Sequence, residues 1–257
     1  KAQGFKKLLT FGGAFSNHIA AVAGAGKEFG FETIGIIRGE EIKDKIQDNP
    51  SLQFAQENGM QFHFVDRTTY KNKTDATFVE ELQQLYGDFY LIPEGGTNAL
   101  AIKGCEEILT ETDKAYFTHV CCAMGTAGTI SGIINSSNEK QQIIGFSSLK
   151  GDFLSDVIRN FATKDNWNTY CDNIFGGYGK VSDPLIQFLN EFYRNTTIPL
   201  DPVYTGKMMY RILDLIAQDY FAPNAKILAI HTGGLQGIQG MNKVLNKKHK
   251  QTIVYND

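Results

Sequence analysis

This 257-residue sequence has no apolar stretch long enough to span a bilayer and no basic-then-apolar leader, so it reads as a cytoplasmic protein in a reducing compartment. Charge of either sign is not in excess: the net charge is -3 at neutral pH. Apart from Lys247, Lys248, His249 and Lys250, read as a solvated tail, the lysines are scattered, which excludes nucleic acid and membrane surfaces as partners. Cysteine is sparse. Cys105, Cys121, Cys122 and Cys171 form no Cys-x-x-Cys pair, which argues against a metal site and a disulfide framework. Cys121 and Cys122 lie in the apolar run from Val120 to Met124, where free thiols pack as small hydrophobes. Also lacking are the Gly-x-Gly-x-x-Gly dinucleotide pattern, the Lys-Ser/Thr ending of a P-loop and the Gly-x-Ser-x-Gly elbow of hydrolases. Ser16 and His18 do not replace that elbow, since positions i and i+2 of a helix point about 200° apart. His18, His63 and His119 are read as packing residues.

What is present is a core. A hydrophobic content of 42% over this length supports one large or two modest domains. Runs rich in β-branched residues predict strands over Leu8 to Phe11, Thr33 to Ile37, Gln61 to Val65, Phe89 to Ile92, Phe117 to Cys122, Ile143 to Ser147 and Lys226 to His231. Helical periodicity fills the gaps, over Ser16 to Phe29, Leu52 to Asn58, Ala76 to Leu85, Ala99 to Leu109, Thr129 to Ile134, Phe153 to Phe161, Pro184 to Tyr193 and Lys207 to Gln218. Such alternation predicts an α/β fold with parallel sheets covered on both faces and ligands at the carboxyl ends of the strands. The segment Pro93-Glu94-Gly95-Gly96-Thr97-Asn98 is the best boundary, giving a smaller α/β domain over 1–98 and a larger one over 99–257. Lys1-Ala2-Gln3-Gly4 reads as the last turn of a helix closed by glycine. The chain carries no internal repeat and no low-complexity tract.

The turns carry the chemistry. Gly12-Gly13-Ala14-Phe15-Ser16-Asn17 joins a strand to a helix. Its glycines can take backbone angles closed to other residues, and Ser16 or Asn17 can cap the helix, leaving N–H groups for a carboxylate or phosphate. The run Gly125-Thr126-Ala127-Gly128-Thr129 before a second helix suits a non-nucleotide phosphate. Each is equally compatible with an ordinary βα turn. Asp201-Pro202-Val203-Tyr204-Thr205-Gly206-Lys207, Gly176-Gly177-Tyr178-Gly179 and His231-Thr232-Gly233-Gly234 add aromatic and polar side chains where an α/β site collects them; Lys207, at a helix N-terminus where lysine is commonly a surface residue, is left unassigned.

In order along the chain, Gly12 to His18, Pro93 to Asn98, Gly125 to Thr129, Gly177 to Gly179, Asp201 to Lys207 and His231 to Gly234 resemble the motifs of one family of pyridoxal-phosphate enzymes. It groups 1-aminocyclopropane-1-carboxylate deaminase with D-cysteine desulfhydrase, within the tryptophan synthase β-like fold (fold type II). The resemblance covers essentially the whole chain and implies two open twisted parallel-sheet domains. It places pyridoxal 5'-phosphate with its phosphate on Gly125, Thr126, Ala127, Gly128 and Thr129. Asn17 is expected on the ring's phenolic oxygen, Tyr204 against the ring, and Thr205 and Thr232 beside the cofactor. Ser16 is expected over the substrate carboxylate, and Tyr178 is expected either to approach the amino acid's β-substituent or to help proton transfer.

Thr205 and Thr232 match the desulfhydrase pattern, where the deaminase pattern has a glutamate and a leucine. A neutral hydroxyl leaves the ring a weaker electron sink than a carboxylate does, which suits β-elimination better than ring opening. The expectation is therefore conversion of D-cysteine to pyruvate, hydrogen sulfide and ammonia. The deaminase reaction and a non-catalytic protein that binds the cofactor or an amino acid are the alternatives. The family's cofactor-carrying lysine stands a few dozen residues before the serine motif, whereas fifteen residues precede Ser16 here. That lysine and part of the larger domain are therefore expected upstream of Lys1. A small amino-acid substrate and a homodimer are implied by the resemblance as well.

Overall fold

The computed structural model describes residues 1–147, 149, 151 and 153–255. The chain divides into two compact units, Lys1–Gly96 and Thr97–Asp257.

The first unit holds β1 (Lys7–Gly13), α1 (Asn17–Phe29), β2 (Glu32–Arg38), α2 (Pro50–Glu57), β3 (Gln61–Val65), α3 (Ala76–Tyr86) and β4 (Tyr90–Ile92). Its four-stranded sheet runs β3-β2-β1-β4, every pair parallel, with Leu8 opposite both Thr33 and Tyr90. Because successive side chains of a strand point to opposite faces, β1 feeds two cores. Leu9 and Phe11 pack with Ile34, Ile36 and Leu82 on one face. Leu8 reaches the other, where Ile19, Ala23, Leu52 and Ala55 come from α1 and α2.

The second unit repeats that winding without a sequence repeat. It holds α4 (Ala99–Cys105), α5 (Glu111–Tyr116), β5 (His119–Ala123), α6 (Gly128–Ser136), β6 (Gln142–Phe146), α7 (Phe153–Phe161), β7 (Trp167–Tyr170), α8 (Asp183–Thr196), α9 (Thr205–Ala217), β8 (Ile227–Ile230) and α10 (Gln236–Lys247). The sheet order is β7-β6-β5-β8, again all parallel. Cys121 and Cys122, adjacent in sequence, lie on opposite faces: Cys122 packs with Ile130 and Ile133 of α6, and Cys121 with Met208 and Ile212 of α9.

In both sheets the chain moves outward through three strands and returns to the far side of the first. Each sheet therefore has a switch point, between β1 and β4 and between β5 and β8, the place where an open α/β sheet forms a ligand crevice at its carboxyl edge. The β1–α1 and β5–α6 turns stand at those two points.

Several sequence expectations are corrected. Gly12 and Gly13 lie within β1 at ordinary strand angles, and what Gly12 supplies is space: a Cβ there would stand 2.4 Å from Ile19 Cγ1. Residues 1–4 form a turn closed by Gly4 N–H on the Lys1 carbonyl at 2.9 Å, with Gly4 at the left-handed φ of 83°. The predicted helix over Ala99 to Leu109 ends at Cys105, and α5 follows on a reciprocal cap between Thr110 and Asp113. β7 and α10 are additional. The basic cluster closes α10 and runs past its end, exposed to solvent as expected, with Lys250 paired to Asp183 at 2.7 Å.

Candidate active site

In the first unit, α1 starts at Ser16, whose Oγ accepts the Ile19 N–H at 3.4 Å. The first turn holds no acidic residue, so the partial positive charge of the helix end is not cancelled locally. Ser16, Asn17 and His18 are all half-buried. His18 turns away from Ser16: its Nε2 meets Thr10 Oγ1 at 2.7 Å, and the Thr10 hydroxyl donates to the Ile92 carbonyl at 2.9 Å. Thr10 therefore accepts, and His18 carries its proton on Nε2. Burial pushes the His18 imidazole down to about 4, opposed by the Glu94 carboxylate, so the ring is neutral near pH 7. Glu94 in turn accepts the Tyr70 hydroxyl at 2.8 Å and pairs with Lys73 at 3.4 Å. Ser16 and His18 thus have separate partners, and no nucleophile–base pair exists here.

In the second unit, three of the sequence-predicted turns follow the carboxyl ends of β5, β7 and β8. After β5, Ala127 sits at the N-cap of α6 with φ 64°, a left-handed angle that costs an alanine roughly 1–2 kcal/mol. A methyl side chain cannot cap, so the N–H groups of Gly128 and Thr129 open the helix without a capping oxygen from that position. The turn is lined by hydroxyls. Thr126 is exposed, and its Oγ1 accepts from Thr97 Oγ1 at 2.6 Å. Gly128 faces the same threonine so closely that a Cβ would stand 2.9 Å from Thr97 Oγ1, and a Cβ on Gly125 would approach Tyr204 Oη at 3.4 Å. The turn, Thr97 and Tyr204 are therefore one cluster.

Tyr204 is held through its neighbours in the chain. Asp201 is buried, and its carboxylate accepts the N–H groups of Val203, Tyr204 and Thr205 at 2.7 to 3.1 Å, together with the Thr205 hydroxyl at 3.0 Å. This carboxylate caps α9 from four residues before its first residue. Burial pushes the Asp201 carboxyl up, while those hydrogen bonds pull it down. Thr205 is 0% exposed, and its hydroxyl donates to the Asp201 carboxylate. Burial first, then Tyr178 and Asp201, hold the Tyr204 phenol above its ordinary range.

The β7–α8 connection brings Tyr178 to Tyr204, ring centroids 5.9 Å apart at 62° and hydroxyls 3.5 Å apart. Lys207 is the residue left without a role by the sequence. It is 2% exposed, and its Nζ donates to the Gly177 carbonyl at 2.5 Å. The signal was available, since Lys207 stands one helical turn beyond Tyr204. After β8, His231 Nδ1 accepts the Gly233 N–H at 3.1 Å, so Nε2 donates to the Pro199 carbonyl at 2.9 Å; Thr232 beside it is exposed. A separate open cleft of about 660 Å³ on the β7 edge, lined by Ser155, Arg159, Asp165 and Trp167 among others, contains none of these residues.

Among the described residues, no cluster of three or more His, Cys, Asp or Glu is placed to hold a metal ion, and no helix is long and apolar enough to cross a membrane.

A protein of Pyrococcus abyssi, provisionally named 1-aminocyclopropane-1-carboxylate deaminase, is 27% identical over 257 residues, spanning 92% of this chain and 76% of its own length. The Arabidopsis thaliana protein named bifunctional D-cysteine desulfhydrase/1-aminocyclopropane-1-carboxylate deaminase, mitochondrial, is 27% identical over 261 residues, spanning 90% of this chain and 64% of its own length. A crystal structure of a 1-aminocyclopropane-1-carboxylate deaminase homologue matches with a TM-score of 0.79 at 25% identity, covering 96% of this chain and 79% of that one. Maize serine racemase shares the fold, with a TM-score of 0.61 at 15% identity over 96% of this chain and 80% of that one. A family model described as pyridoxal-phosphate dependent enzyme matches residues 2–233, in keeping with the two parallel sheets and the uncapped glycine turn, and the chain belongs to that family.

Proposed function

We propose that the protein is a pyridoxal-phosphate lyase that carries out β-elimination on a D-amino acid, converting D-cysteine and water to pyruvate, hydrogen sulfide and ammonia. The observation that carries the cofactor part is the β5–α6 turn: Ala127 in a left-handed conformation, glycines on either side of it and threonine hydroxyls in the run. Those features fit a phosphate. The α6 N–H groups and the hydroxyls of Thr126 and Thr129 hold its oxygens, and Gly125 and Gly128 keep the approach clear of side chains. Tyr204 lies against the ring. For the β1–α1 turn the role is anion recognition: Ser16 and the α1 N-terminus take the substrate's carboxylate, and Asn17 takes the cofactor's phenolic oxygen. Thr232 contacts the cofactor from the β8 turn. Thr205 acts through Asp201, which orients Tyr204.

When bound, pyridoxal phosphate supplies an electron sink for bonds broken at the amino acid's α-carbon. Tyr178 serves the β-position, passing a proton to the departing sulfur. The choice of elimination over ring opening rests on position 205, which is a threonine committed to Asp201. With no carboxylate from that position to keep the ring nitrogen protonated, the reaction that sheds its electron pair through sulfur is favoured. A homodimer and a cytoplasmic location belong to the same proposal.

The test uses the product of the complete reading frame, loaded with pyridoxal phosphate and passed through gel filtration. A retained absorbance band, with pyruvate and sulfide released from D-cysteine, is the expected result. Release of 2-oxobutanoate from 1-aminocyclopropane-1-carboxylate, with no product from D-cysteine, makes the protein a deaminase instead. A retained band with no turnover of either leaves a non-catalytic binding protein.

A further inference from the structure

Tyr178 is placed on a segment poorly suited to hold a side chain still. Phe175, Gly176, Gly177 and Gly179 all have positive φ, and three glycines in four positions leave a large conformational entropy to be overcome. Tyr178 itself is 54% exposed and has little packing of its own. The segment is nevertheless tied down, and each tie comes from α9 or its cap at a spacing of three residues. Tyr204 meets the Tyr178 ring edge-on, Lys207 donates to the Gly177 carbonyl, and Tyr210 meets the Phe175 ring edge-on with centroids 4.6 Å apart. Residues three apart lie on one side of a helix, so helix and loop run past each other in register.

Of the three ties the lysine is the costly one. An ammonium at 2% exposure loses most of its hydration, and a methionine of similar length would fill the same volume without that cost. The Gly177 carbonyl already accepts the Lys180 N–H at 3.2 Å, so the ammonium is its second donor and not the rescue of an orphaned oxygen. Gly177 is buried with φ 89° and ψ -164°, a conformation essentially confined to glycine, so the lysine bonds the backbone where it is least self-supporting.

We propose that Lys207 is a positioning residue: through the Gly177 carbonyl it holds the Gly176–Gly179 segment so that Tyr178 stays beside Tyr204. It does not touch the substrate. The assignment rests on the role given to Tyr178 above.

Two readouts test it in the full-length protein. In the cofactor-free form, Lys207→Met speeds backbone hydrogen exchange of residues 174–180 by on the order of tenfold or more, while α1 and β1 keep wild-type exchange. In the loaded enzyme the same substitution lowers kcat roughly tenfold to a hundredfold with little change in KM, and has almost no further effect in a Tyr178→Phe background. Unchanged exchange over 174–180, or an equal kcat loss in both backgrounds, overturns the proposal. Should Lys207→Met not fold, Lys207→Gln keeps a polar head too short to reach the carbonyl and is read the same way. Exchange needs no turnover, so a wild-type enzyme inert toward D-cysteine sinks the functional reading while the exchange result still decides the tether.

Discussion

Tyr178 and Tyr204 meet edge to face with their hydroxyls 3.5 Å apart, one phenol exposed on a glycine loop and the other half-buried at the cap of α9. The two should therefore respond differently to mutation. Tyr178→Phe removes only an exposed hydroxyl, so thermal stability should move by no more than about 0.5 kcal/mol, while kcat for D-cysteine should fall by roughly 10²-fold, as expected for loss of a proton-transfer group. Tyr204→Leu should instead weaken retention of the cofactor through gel filtration. A Tyr178→Phe enzyme with full activity removes Tyr178 from the reaction.

Gly12 and Gly13 look alike in sequence but not in space. A Cβ on Gly12 would stand 2.4 Å and 2.9 Å from Ile19 side-chain carbons, whereas one on Gly13 meets Arg38 at 3.5 Å, an ordinary contact. Gly12→Ala forces the Ile19 side chain to shift and should cost about 1–3 kcal/mol in denaturant titration. Gly13→Ala should cost less than about 1 kcal/mol. Equal losses would show that backbone conformation, and not space, is what these glycines supply.

His18 predicts a pH dependence. Its folded-state value is lowered from 6.5 to about 4 by burial, with Glu94 opposing, so between those values the unfolded chain binds the proton that the folded chain refuses. Unfolding free energy therefore rises with pH across that window and is lost as pH falls from about 6.5 toward about 4. Denaturant titrations of wild type and His18→Gln at pH 4.5 and pH 7.5 measure it: the wild type should lose more stability at the lower pH than the variant does. Parallel pH profiles would exclude His18 as the source.

Cys121 and Cys122 are both 0% exposed, and burial pushes each thiol up to about 12. Neither should react with an aromatic disulfide reagent near pH 8 until the second unit unfolds, because the thiolate is the nucleophile and its fraction there is negligible. Cys105 and Cys171 are half-buried and should label first. Early labelling at 121 or 122, read by peptide mass, would show that β5 opens locally.

The alternation of apolar strands with periodic helices was enough to place seven of the strands, because hydrophobic period and β-branched content are local properties. The turns before α1 and α6 were legible for the same reason, although Gly12 and Gly13 belong to the strand: a turn before a helix needs small residues and caps within a few positions. What escaped depended on distant neighbours. α10 contains Gly237 and Gly240, which weaken helix propensity, and it stands because Ile238 and Leu245 bury against Leu185, Leu189 and Ile253. β7 is four residues long with polar Asn168 and Thr169, and its strand character comes from pairing with β6. Thr205 was given a role only by resemblance, and Lys207 was given none. Their actual partners, Asp201 and Gly177, show that burial and the reach of a side chain across a loop are set when α9 packs. Local chemistry along the chain thus determined where a phosphate and a carboxylate have suitable turns. Only the packing of α9 against its neighbours decided which of the polar residues beside Tyr204 are buried and spend their side chains holding the backbone in place.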